Sequence, residues 1–116
     1  MLQRQDAKSL ALFQAIQAKL SGSPDRRFYL QDARDWAYLV FNERPYDVYL
    51  AEWVELLDDA LTSDEGLTAL YYLMLSPDQH AIDMRSSSPF AGVLTSKERT
   101  EVLVAFQRKW VAMTEG

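Results

Sequence analysis

Residues 47–75 read DVYLAEWVELLDDALTSDEGLTALYYLML, and this stretch decides the fold class. Tyr49, Leu50, Trp53, Leu56, Leu57 and Leu61 recur three or four positions apart, the spacing of one helix face. A helix is predicted from about Asp47 to Leu61, with those six residues inward. Thr62-Ser63-Asp64-Glu65 follows in the pattern of a capping box, in which Thr62 caps a helix start and Glu65 reaches back to its backbone. The helix so opened runs to Leu75. Its run Leu70-Tyr71-Tyr72-Leu73-Met74-Leu75 is apolar almost all round, which suggests a central helix. A buried strand is the alternative for so short a run.

The same periodicity extends in both directions. Toward the N-terminus, Ala33, Trp36, Ala37 and Val40, with Phe41 beside them, mark a helix from about Leu30 to Asn42. It closes at Asn42-Glu43-Arg44-Pro45, because the residue before a proline avoids helical angles. Leu10, Phe13, Ile16 (or Ala15) and Leu20 mark an earlier helix from about Gln5 to Leu20, ended by Ser21-Gly22-Ser23-Pro24-Asp25. Toward the C-terminus, Ser76-Pro77-Asp78-Gln79 is a second capping pattern with proline at the favoured first helical position. It opens a short helical turn near residues 77–84. An irregular stretch, Arg85 to Gly92, comes next. Thr95-Ser96-Lys97-Glu98 is a third capping box, opening a last helix with Val102, Leu103, Phe106, Trp110 and Met113 inward. Alternating strand patterns and hairpin turn dipeptides are missing. The expectation is an all-α fold: a single helical domain over residues 1–116, a compact bundle of about five helices plus the short turn near 77–84.

Composition narrows the function classes. At 116 residues, 48 % apolar and 25 % charged, the chain has the balance of an ordinary globular domain. With 0 Cys, disulfide scaffolds, thiolate metal sites and thiol nucleophiles are excluded. With 1 His, catalytic histidine pairs and multi-histidine metal sites are excluded too. The longest apolar run, Ala69 to Leu75, is far shorter than the roughly 20 residues a membrane span needs. No targeting segment is visible at the N-terminus. A cytoplasmic protein is expected, with no membrane partner.

Charge is unevenly distributed. Residues 45–83 contain no Lys or Arg, but nine acids: Asp47, Glu52, Glu55, Asp58, Asp59, Asp64, Glu65, Asp78 and Asp83. The flanking segments each carry a small basic excess within a net charge of -5. Glu52, Glu55 and Asp59 are spaced three and four apart on the helix over 47–61, with Asp58 beside them. Like charges at that spacing cost a few tenths of a kcal/mol each when unpaired. Three readings follow: a solvated face, pairing with Arg34, Arg44, Arg99 or Arg108 inside the fold, or a basic partner. An acidic chain lacks the basic footprint of nucleic-acid binding, so direct binding of nucleic acid is not expected. Arg4, Arg26, Arg27 and Arg34 with Phe28 and Tyr29 offer at most a small patch; Phe28 and Tyr29 fit better as core anchors.

The chemistry-bearing residues give no catalytic set. Asp78, His80 and Asp83 could in principle gather a metal, but no HExxH and no Glu-x-x-His pair is present, and His80 reads as a surface or capping residue. Ser86-Ser87-Ser88 has no nucleophile elbow, and no glycine-rich phosphate loop exists. No enzyme activity, cofactor or metal is therefore expected. Tyr38, Tyr46, Tyr72, Leu39, Leu73, Val104 and Val111 fall off the apolar stripes and suit an interface. Phe90 sits in the irregular stretch, where it either plugs the core or meets a partner. The leading expectation is a small acidic regulator, inhibitor or adaptor that binds another, basic protein. Glu52, Glu55, Asp58, Asp59 and Phe90 are the candidate partner contacts. Its electrostatic logic is that of bacterial immunity proteins, antitoxins and phage-encoded inhibitors. A homodimer is a further expectation. The alternative is an apolar-ligand pocket lined by Trp36, Trp53, Tyr71 and Trp110.

Overall fold

The computed structural model describes residues 2–115. Every regular element among them is a helix: α1 (Arg4–Gly22), α2 (Arg26–Glu43), α3 (Val48–Thr62), α4 (Asp64–Leu75), α5 (Gln79–Ser86) and α6 (Ser96–Glu115). The fold is an all-α bundle, and the apolar run 70–75 is helix rather than strand. α3 packs along α2 on one side and α4 on the other; α1 lies against α2, α4, α5 and α6. Tyr72 is 73 % exposed, so α4 is a flank of the bundle rather than its centre. α1 and α3 supply the two ring systems at the core.

Those rings are Phe13 of α1 and Trp53 of α3, stacked with centroids 6.1 Å apart. Phe90, from the segment after α5, closes over both edge to face, 5.8 Å from Phe13 and 5.4 Å from Trp53. Such pairs contribute about 0.5–1.5 kcal/mol beyond their area. Leu20, Leu30, Leu57, Leu70, Met74 and Met84 fill the space around them. The buried Trp53 indole donates to the Met84 carbonyl at 2.8 Å, which ties α5 to α3 and satisfies the one polar atom of the ring.

Except for α2, helix starts agree with the sequence in place but not always in cap. The third box forms in full: the Glu98 N–H donates to Thr95 Oγ1 at 3.1 Å, and the Thr95 N–H to Glu98 Oε1 at 2.8 Å. At α4 the cap is Ser63 and not Thr62. Ser63 Oγ accepts from the Gly66 N–H at 2.9 Å, while Thr62 ends α3 with its hydroxyl donating to the Asp58 and Asp59 carbonyls. A single residue therefore links α3 to α4. The junction is so close that a Cβ on Gly66 would lie 2.2 Å from the Asp59 carbonyl oxygen. At α5 the cap is Asp78, which accepts from the Ala81 N–H at 2.8 Å, so Pro77 precedes the helix instead of opening it.

α2 begins at Arg26, a turn before its apolar stripe and before the expected start near Leu30; that first turn carries no buried residue, so no stripe marks it. Phe28 is 68 % exposed and does not anchor the helix; Tyr29 packs on the core. Trp36 also leaves the predicted stripe, at 46 % exposed.

α6 is set apart. Among the described residues it packs against α1 alone, and none of its apolar residues is fully buried, Met113 included at 58 % exposed. Polar ties hold its first turn: Lys19 Nζ donates to Glu98 Oε1 at 2.6 Å and to the Val93 carbonyl at 2.7 Å. Farther along, Arg4 donates to Gln107. The radius of gyration, 14.6 Å, exceeds the roughly 13 Å of a compact chain this long, as a helix lying outside the core requires.

Candidate functional site

The acids of residues 45–83 divide by local structure. Asp47 caps α3, accepting from the Tyr49 and Leu50 N–H groups at 3.1 and 3.2 Å. Asp78 caps α5, and the Ala81 N–H and Ser76 hydroxyl hold its carboxyl below the usual range. Asp83 accepts from Gln79 at 2.9 Å and from the Tyr49 hydroxyl at 3.4 Å. These three are occupied within the fold.

The four residues expected to form an acidic face divide as well. Arg34 reaches across from α2 and donates its Nε–H to Asp58 at 2.8 Å, as one of the sequence readings anticipated. His80 Nε2 lies 2.6 Å from Glu52 Oε2. That contact, with Glu52 as its main cause, raises the His80 pKa above its ordinary value. Sequence reasoning missed this pair because α3 and α5 become neighbours only in the fold. Glu55 and Asp59 remain exposed, and neither has an ion-pair partner among the described residues. Asp64 and Glu65, also exposed, follow in the first turn of α4, which the Gly66 contact presses against the last turns of α3. Asp59, Asp64 and Glu65 thus lie at the α3–α4 elbow, with Glu55 one turn before Asp59 on α3. Arg26 and Arg27 border it from α2: both line the cleft over 60–64, and Arg27 donates to the Leu61 carbonyl at 2.9 Å.

Phe90 is 1 % exposed, so it is the core plug and not a partner contact. Asp78, His80 and Asp83 are engaged separately, and no group of three metal-ligating side chains exists among the described residues. The arginines considered as one patch are dispersed. Arg4 lies beside Phe106 of α6 and Arg34 is paired with Asp58, while Arg26 and Arg27 stay at the start of α2.

The four rings expected to line one pocket stand apart. Trp53 is in the core and Trp36 is at the outer side of α2. Trp110 lies in an apolar groove of about 400 Å³ between α1 and α6, with Leu10, Val102 and Phe106. Tyr71 packs on the core from α4. Trp36 and Leu39 instead line a cleft of about 370 Å³ against Pro89, Ala91 and Gly92, edged by Asp32 and Asp35.

One functional candidate had no sequence signal. Arg85, placed by the sequence in the irregular stretch, is in the last turn of α5 and is 3 % exposed. Its Nη1 donates to the Ser76 and Met74 carbonyls at 2.8 and 3.2 Å, at the end of α4. Burial lowers its pKa, opposed by Asp78 and Asp6, but an arginine remains charged at neutral pH.

The chain matches no family model, no curated protein and no solved structure. No helix among the described residues is long and apolar enough to cross a membrane.

Proposed function

We propose that this is a protein-binding module, a regulator, inhibitor or adaptor, that engages a basic partner surface in the cytoplasm through the α3–α4 elbow. The observation that carries this reading is the exposure of Glu55, Asp59, Asp64 and Glu65 together. Glu55 and Asp59 sit one turn apart, where like charges repel. A cationic surface relieves that repulsion, speeds association and fixes orientation. The centre of the proposed face moves from Glu52 and Asp58, which have partners within the fold, to Asp64 and Glu65.

The test starts with affinity capture from lysate at low and high salt, followed by titration of the captured protein. The variant Glu55→Gln/Asp59→Asn/Asp64→Asn/Glu65→Gln is expected to weaken binding about tenfold or more and to flatten its salt dependence. Glu52→Gln/Asp58→Asn serves as the internal control and is expected to change affinity little. Unchanged affinity and salt slope in the quadruple variant would overturn the reading. A partner retained at high salt would move the interface to the Trp36–Leu39 cleft.

A further inference from the structure

The acidic elbow leaves one feature at the other end of α4 unexplained. The Arg85 side chain is buried, yet its Nε and Nη2 have no hydrogen-bond partner. No acid forms an ion pair with it among the described residues. Its contacts to the end of α4 use Nη1 alone. Nε and Nη2 form one edge of the guanidinium plane, with two parallel N–H donors spaced for the two oxygens of a carboxylate. A buried donor left unpaired costs more than a typical hydrogen bond gains, and more again when it is charged.

Arg85 lines a cavity of about 200 Å³ between α1, the segment 88–94 and the first turn of α6. Leu12, Ile16, Phe90 and Leu94 form its apolar wall, with Ser9 and Ser88 as neutral polar groups. Arg99 is the second cation of the lining; it is exposed and has no ion-pair partner among the described residues. The volume lies below the roughly 300–1,000 Å³ of sites for drug-sized ligands, so the occupant is small. The lining joins two arginines and two serines to an apolar wall, which suits a small anion carrying a short apolar chain.

We propose that this cavity binds a small organic monocarboxylate, its head held side-on by Arg85 and its short chain against Leu12, Ile16 and Phe90. Arg99 draws the anion to the site. The proposal is independent of the α3–α4 elbow and stands if that reading fails.

The Nε–H signals of arginine side chains in 1H–15N spectra report the contact directly. The Arg85 signal is identified by its loss in Arg85→Lys. Acetate, butyrate, butanol and inorganic phosphate are titrated into the full chain. Butyrate is expected to shift the Arg85 signal saturably and to bind more tightly than acetate; butanol leaves the signal in place. Arg99→Gln, a surface change, is expected to weaken butyrate about threefold. Ser9→Phe, which fills the cavity, abolishes the shift, so the test does not depend on Arg85→Lys folding. An Arg85 signal unmoved by every carboxylate overturns the proposal. So does a shift by phosphate equal to that by butyrate, with no dependence on chain length.

Discussion

The Phe13–Trp53–Phe90 cluster and the α1–α6 contact hold the same helix by different means. On one side α1 presents Phe13, Ile16 and Leu20 to a closed core. On its other side it presents Ala7, Leu10 and Ala11 to an open groove under α6. Burial against the core is complete, and dispersion and desolvation add with every methylene. Burial under α6 is partial, so the polar ties of Lys19, Glu98 and Thr95 carry a larger share. The difference teaches that position along one amphipathic helix does not fix the worth of its contacts. What closes over each side fixes it.

The strongest way to break this comparison is at the core. Trp53→Ala or Phe90→Ala is expected to destabilise the protein by about 3–5 kcal/mol in urea unfolding, from lost burial and the cavity left behind. Phe106→Ala, under α6, is expected to cost clearly less, and equal losses would refute the distinction. Next in size is Gly66→Ala. A Cβ there meets the Asp59 carbonyl, so α4 has to shift; a loss of about 1–3 kcal/mol is expected in the same measurement.

A smaller effect tests the polar ties. Lys19, above all, and the Thr95 N–H hold the Glu98 carboxyl down at about 2, below the ordinary 4.5. A depressed carboxyl stabilises the fold above its ordinary range and loses that contribution as pH falls through the depressed value. Docking of α6 therefore weakens between about pH 4.5 and 2, followed by hydrogen exchange along α6. Glu98→Gln should remove that pH dependence and raise exchange in α6 while leaving α3 protected. The smallest expected effect is at His80, whose pKa is raised chiefly by Glu52. A raised histidine contributes below its ordinary 6.5 and loses the contribution as pH rises through the folded value. An NMR titration of Glu52→Gln is expected to return His80 toward that ordinary value.

The helices were legible because periodicity and capping are local properties. Residues 47–75 read correctly as two helices, and the box at Thr95–Glu98 formed as expected. Where two adjacent residues can both cap, as at Thr62-Ser63, the sequence does not separate them; the Gly66 approach does, by drawing α4 against α3. The start of α2 was hidden because a turn without buried residues leaves no stripe. Trp36 and Met113 fit an inward spacing, yet both are exposed, because what faces them covers them only in part. Of the acidic face, Glu55 and Asp59 read as exposed and are. Glu52 and Asp58 are each paired with a residue distant in the chain, on another helix. Arg85 was invisible for the same reason: a charge in a polar stretch reads as solvated until its neighbours are known.

Phe90 has a consequence for the order in which the chain is made. Synthesis runs from the N-terminus, and α1 to α5 leave the ribosome before the ring that closes their centre. A nascent chain halted after α5 would hold Phe13 and Trp53 together with one side of both rings uncovered. Nascent chains of increasing length, probed by protease, should therefore gain resistance in one step as residue 90 emerges from the exit tunnel.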